Sequence, residues 1–264
     1  MPFRISTGPA LPARVRRASV KARTGSARTG SVIQRALRVV SSWGYGAVRR
    51  MRNAAIAVLA LSSSVFAEPV TIVALGDSLT AGYGLADQKD GLVPQLEGWL
   101  KAKGADVVVQ NAGVSGDTTA GGLARVAWAL GPEADAVIVT LGGNDLLRGL
   151  DPAGSRANLE GILKEVQARG LPVMLVPLAA PGNFGPDYKA AFDGMYVDLA
   201  AQYGAVLAGD FFDGLRAAGA DPANPASLAA YMQADGIHPN PEGVRLIVEG
   251  LGPKVQELLV RVGG

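Results

Sequence analysis

The 264-residue chain contains no cysteine, one histidine and few aromatic side chains, and its first 67 residues contain no aspartate or glutamate. Each shortage excludes something. Without cysteine there can be no disulfide and no thiol nucleophile, so a folded domain must be held by its apolar core. One imidazole and no thiolate cannot supply the usual nitrogen- and sulfur-rich ligand set of a zinc hydrolase, and no metal site is expected. The lone histidine, His238, is also the only side chain whose ordinary pKa suits proton shuttling near neutral pH. An acid–base enzyme with this sequence would have His238 as its base, with no second histidine or cysteine titrating beside it.

The missing acids divide the chain. Through Ala67 there are 12 Lys and Arg, which leaves 13 basic and all 23 acidic residues beyond it, a formal net of −10. A region so charged repels phosphates, so no nucleic-acid partner is expected. Residues 1–50 are rich in Arg, Ser and Gly and show no sustained periodicity, and they are excluded from the fold. Their composition fits an upstream start ahead of Met51 or an organellar transit peptide. Residues 51–67 read as a signal peptide: basic residues around Met51, an apolar run at 54–61, and Val65-Phe66-Ala67 for the peptidase. Export to the periplasm or medium is expected, with a mature domain of residues 68–264 beginning near Glu68. The apolar run is far shorter than the roughly 20 residues a membrane span needs, so the mature form should have no stable span.

From residue 70 onward, apolar runs alternate with amphipathic stretches. Residues 70–75, 107–110, 136–141, 172–177 and 205–208 read as strands. Helices are expected at 91–103, 118–130, 152–169, 187–203 and 241–260, with Asp151 as an N-cap and Gly170 past a C-terminus. Residues 181–186 read as a Pro/Gly-rich loop. Strands separated by helices imply right-handed crossovers and a five-stranded parallel α/β sheet covered on both faces. Ligands of such sheets bind at the carboxyl ends of the strands. Ser78, Gly116 and Asn144 follow the first three strands, which brings three polar groups to one rim, although turns are rich in such residues in any case.

His238 lies in Asp235-Gly236-Ile237-His238-Pro239-Asn240. Three residues suffice for one turn to bring the Asp235 carboxylate onto the ring's Nδ1–H, leaving Nε2 to accept a proton. The same stretch also suits an ordinary surface turn closed by Pro239. Ser78, in Gly76-Asp77-Ser78-Leu79-Thr80, sits at a strand-to-helix turn that would lift its hydroxyl to the mouth of the sheet. Thr80 breaks the Gly-x-Ser-x-Gly elbow, and the dinucleotide and phosphate-loop fingerprints are absent. Asp77 is expected to hold the turn. Acyl transfer also requires donors for the developing oxyanion, and the Ser78 and Gly116 backbone N–H groups and the Asn144 amide are the candidates.

Four ordered blocks, Gly-Asp-Ser-Leu, Ser-Gly-Asp-Thr, Gly-Gly-Asn-Asp and Asp-Gly-Ile-His-Pro-Asn, carry a resemblance to the GDSL, or SGNH, hydrolase family. It extends from about residue 70 to the C-terminus, with the family's marker residues at Ser78, Gly116, Asn144 and His238 and its triad acid at Asp235. Segments 142–150 and 181–188 are similar to the bacterial periplasmic multifunctional esterases, the group of acyl-CoA thioesterase I, lysophospholipase L1 and arylesterase; Phe184 replaces a tyrosine of that group. The resemblance implies a flavodoxin-like three-layer α/β/α fold, an acyl-serine intermediate and no cofactor. The expected protein is a monomeric serine hydrolase acting on small-molecule acyl esters or thioesters. Leu178, Ala179, Ala180 and Phe184 form its expected apolar lining, with Leu178 and Phe184 singled out as substrate-binding. A carbohydrate O-acetylesterase would use the same catalytic groups with a polar cleft, and a non-catalytic periplasmic binding protein could use the same rim.

Overall fold

The computed structural model describes residues 68–262 apart from 222 and 223, so the expected leader and signal peptide lie outside the described residues. The chain enters at strand β1 (Val70–Gly76), followed by the short helix α1 (Ser78–Ala81) and then α2 (Leu92–Ala102). Strand β2 (Val107–Gly113), helix α3 (Thr119–Ala129) and strand β3 (Ala136–Thr140) come next, then the short α4 (Gly143–Leu147) and the long α5 (Pro152–Ala168). Strand β4 (Val173–Leu175), α6 (Pro186–Tyr203), β5 (Val206–Leu207), α7 (Asp213–Ala217), α8 (Pro225–Leu228) and α9 (Pro241–Val260) complete it.

All strand pairs are parallel, in the order β2-β1-β3-β4-β5. Helices α3, α5 and α6 pack side by side, and α2, α7 and α9 pack together through α9, so the sheet lies between two helical layers. This is the flavodoxin-like doubly wound order, with its topological switch between β1 and β3. The central strands are apolar because both faces are covered: Ile72, Val73, Leu75, Ala136 and Val137 are fully buried.

Strand β2 runs three residues past the expected Gln110, because Asn111, Ala112 and Gly113 continue the ladder opposite Ala74, Leu75 and Gly76. It is an edge strand with alternating exposure, so its polar end carries no run of apolar residues. The fourth and fifth strands pair over less of their apolar runs than expected, residues 173–175 and 206–207. The expected loop at 181–186 contains a 3₁₀ turn, Gly182–Phe184. Helix α1 is too short to have a readable period, and two close approaches settle its place. A Cβ at Gly113 would collide with the Ala81 backbone, and one at Gly76 would press on the Thr80 side chain and lie 2.9 Å from the Thr140 carbonyl oxygen. The glycines let α1 lie directly on the ends of β1 and β2.

Candidate active site

Asp77 follows β1 and caps α1, its Oδ1 accepting the Leu79 N–H at 3.0 Å. An aspartate before the first turn accepts an otherwise unpaired helical N–H, which holds the next residue, Ser78, at the start of the helix. As the first helical residue, Ser78 has no intrahelical acceptor for its own N–H. Its Oγ lies 2.8 Å from His238 Nε2, and His238 Nδ1 lies 2.7 Å from Asp235 Oδ2. The three residues expected to form a triad are thus brought into one hydrogen-bonded line.

The other oxygen of Asp235, Oδ1, accepts the backbone N–H groups of Ile237 and His238, at 2.9 and 3.0 Å. Asp235 and His238 therefore belong to one tight turn. The hydrogen bond from His238, together with these backbone donors, holds the Asp235 carboxyl at about 2, below the ordinary carboxylate range. Asp235 thus stays ionised wherever the imidazole is neutral.

Of the expected oxyanion donors, Asn144 occupies the first turn of α4, directly after β3 and across the switch point from Ser78. Its Nδ2 donates to the Asp117 carbonyl at 2.9 Å and lies 3.5 Å from Asp77 Oδ2. The first bond fixes the plane of the amide; the second contact is long enough to leave that hydrogen available to a stronger acceptor. Gly116 lies on the β2–α3 connection at φ 87°, a left-handed conformation that favours glycine, and its carbonyl accepts from Arg148 Nη2 at 2.9 Å. It is exposed and is not one of the residues lining the cleft described next.

A cleft of about 610 Å³ opens beside Ser78 and Asn144. Leu178 and Phe184, both singled out from the sequence, line it, as do Ala179 and Ala180; Phe212, Leu228, Met232 and Ile237 add further apolar side chains. The wall after β4 is pinned by two carboxylates. Asp210 Oδ2 accepts the Ala179 N–H at 2.6 Å, and Asp193 Oδ1 accepts the Ala180 N–H at 2.7 Å. Phe184 leans against the Tyr188 ring, with centroids 4.9 Å apart, so its position rests on ring packing. Among the described residues no group of histidines and carboxylates could hold a metal ion.

Asp77 is 1% exposed, and burial pushes its carboxyl up to about 6. Burial under the Asn144 turn produces this effect, and nothing in a Gly-Asp-Ser-Leu string announces it.

The family model for GDSL-like lipases and acylhydrolases matches residues 74–246, which span every residue of this site. The chain belongs to that family. Among curated relatives, esterase TesA of Pseudomonas aeruginosa is 38% identical over 190 residues, covering 72% of this chain and 89% of its own length. Thioesterase 1/protease 1/lysophospholipase L1 of Escherichia coli K12 is 32% identical, with 72% and 85% covered. The crystal structure of AlinE4, an SGNH-hydrolase family esterase, is 42% identical with a TM-score of 0.58, covering 73% of this chain and 98% of that one. As a GDSL-family member the chain is a serine hydrolase acting on ester bonds, and its substrate is a small molecule.

Several residues that hold this GDSL site together escaped the sequence reading. Asp145, buried beside Asn144, accepts from Thr119 N, Thr119 Oγ1 and Ser155 Oγ at 2.9, 2.6 and 2.8 Å, tying α4 to α3 and α5. Gln233 Nε2 donates to the Tyr83 and Pro239 carbonyls at 2.8 and 3.0 Å, linking the segment after the nucleophile to the base loop. Tyr83 packs its ring 4.7 Å from the His238 ring. A sequence offers no signal for such partners, which lie far apart along the chain.

Proposed function

We propose that Ser78, His238 and Asp235 act as nucleophile, general base and orienting acid in the hydrolysis of acyl esters and thioesters. The observation that carries this reading is the unbroken line of contacts from Ser78 Oγ through the imidazole to Asp235. His238 Nε2 takes the hydroxyl proton as Ser78 Oγ attacks the carbonyl carbon. The imidazolium is stabilised by Asp235 and then protonates the departing alkoxide or thiolate. Water, deprotonated by His238, releases the acid from the acyl-serine. The Ser78 and Gly116 N–H groups and the Asn144 amide serve as the oxyanion donors, and Leu178 and Phe184 contact the acyl portion.

Asn183, Lys189, Asp210 and Arg216 also line the cleft, but its walls beside Ser78 are mainly apolar, which favours an acyl or aryl group over an acetylated sugar. The triad geometry argues against a role limited to binding. The acid-free residues before Glu68 support export to the periplasm or medium. The test is a fluorophosphonate serine probe together with a panel of p-nitrophenyl esters, acyl-CoAs, lysophospholipids and acetylated sugars. Wild type should label and hydrolyse acyl esters, and Ser78→Ala should do neither. Labelling of Ser78→Ala, or activity confined to acetylated sugars, would overturn the proposal.

A further inference from the structure

The site contains an ion pair that touches neither Ser78 nor the cleft. Arg125 in α3 and Asp117 after β2 leave only 18% and 17% of their side chains exposed, and Arg125 Nε lies 2.6 Å from Asp117 Oδ2. The other arm of the guanidinium, Nη2, donates to the Gly76 carbonyl at 2.9 Å. That carbonyl ends β1 two residues before Ser78, and it also accepts the Val114 N–H at 3.0 Å. Asp117 follows Gly116 directly, its N–H donates to Val114 O at 3.1 Å, and its carbonyl accepts the Asn144 amide.

We infer that Arg125 and Asp117 are positioning residues that set the oxyanion donors against the nucleophile turn. The inference rests on the roles proposed above for Ser78, Gly116 and Asn144. One planar guanidinium refers all three donors to a common origin: Gly76 carries the Ser78 turn, Asp117 is bonded to Gly116, and the Asp117 carbonyl fixes the plane of the Asn144 amide. Neither Arg125 nor Asp117 lines the cleft, so neither meets substrate. Arginine suits this position because its rigid fork presents two N–H groups to two acceptors at fixed separation, whereas an ammonium is a single point of charge. Without Arg125, a largely buried Asp117 carboxylate loses its partner, and the Asp117 end of the 113–118 segment loses its side-chain link to Gly76, leaving only the backbone bond from Val114 to that carbonyl. Displacement of reacting groups by about 1 Å can lower a rate by ~10²-fold.

The experiment compares wild type, Arg125→Lys, Arg125→Gln and Asp117→Asn for thermal melting, kcat and KM on a p-nitrophenyl ester, with Ser78→Ala as control. Arg125→Lys keeps the charge but cannot span both acceptors; it should melt cooperatively, lose ~10–100-fold in kcat and leave KM unchanged. The double variant Arg125→Lys/Asn144→Ala should be faster than the product of the two single losses predicts, because part of what Arg125 sets in place is the Asn144 amide that the second change removes. Wild-type kcat in folded Arg125 variants, or losses that multiply with Asn144→Ala, would overturn the inference while the triad stands. If every variant that loses turnover also loses its cooperative melt, the pair is purely structural and the inference fails. Turnover by Ser78→Ala would instead bring down the underlying reading.

Discussion

Asp77→Asn should make the protein more stable at neutral pH than at acid pH relative to wild type. The Asp77 carboxyl rises from 3.8 to about 6 on folding, with burial as the largest cause. Below 3.8 it is protonated in both states and contributes nothing. Above 6 it is ionised in both, and the native state carries the penalty of a buried charge. A rise from 3.8 to about 6 corresponds to about 3 kcal/mol, lost as pH climbs through that window. Asparagine is also a good N-cap, so its carbonyl can still accept the Leu79 N–H while the charge disappears. Asp235, held at about 2, acts in the opposite sense: the stability it contributes is present above the ordinary carboxylate range and is lost as pH falls through its folded value. The two windows do not overlap, and the contribution of Asp235 cancels in the difference between wild type and variant. The assay is urea denaturation of both proteins between pH 4 and pH 7. The advantage of Asp77→Asn should grow by most of that ~3 kcal/mol over this range. A difference independent of pH would show that the carboxyl is not titrating inside the fold and would refute the reasoning.

Three further outcomes are expected. Asn144→Ala should lower kcat by ~10²–10³-fold and, through its lost bond to the Asp117 carbonyl, reduce stability by about 1 kcal/mol; near-normal turnover in a steady-state assay would remove Asn144 from the site. The wild-type kcat/KM for a neutral ester should rise with pH, because His238 must be neutral to accept the Ser78 proton. A flat wild-type profile from acid to neutral pH, or substantial turnover by His238→Ala, would show that another group is the base. Tyr196→Phe should be destabilised by about 1–3 kcal/mol in thermal or urea melts, because the buried hydroxyl donates to the Leu141 carbonyl at 2.9 Å and phenylalanine leaves that oxygen unpaired.

The sheet was legible because a strand covered on both faces must be apolar throughout, as residues 72–75 and 136–139 are. Where only one face is covered, as in the last turns of β2, the signal fades although the ladder continues. The residues proposed as the triad could be named from the sequence for a different reason. A single imidazole leaves no choice of base, and an aspartate three residues before it restricts the acid. The supporting shell has no such economy. Asp117 can pair with any of many arginines, and only the packing of α3 on the end of β1 selects Arg125. Asp145 and Asn144 are adjacent polar residues in the same motif, yet one is sealed among α3, α4 and α5 while the other lines the cleft. Their division of labour depends on the direction in which α4 leaves β3.

The placement of Asp235 and His238 in one turn simplifies what the fold must hold fixed. Asp235 Oδ1 ties down the backbone of Ile237 and His238 while Oδ2 meets the ring, so the orientation of the imidazole is settled within four residues. The remaining variable is how that turn as a whole sits relative to Ser78, 160 residues earlier. Gln233 addresses this variable directly: its backbone N–H donates to the His238 carbonyl at 2.8 Å, while its side-chain amide grips Pro239 on the base loop and Tyr83 beyond the nucleophile helix. The Tyr83 ring then packs against the imidazole, with centroids 4.7 Å apart. A loop whose Asp235–Ile237 end is exposed can thereby hold the His238 ring 2.8 Å from the Ser78 hydroxyl, because its internal geometry is local and its docking rests on a few hydrogen bonds to backbone.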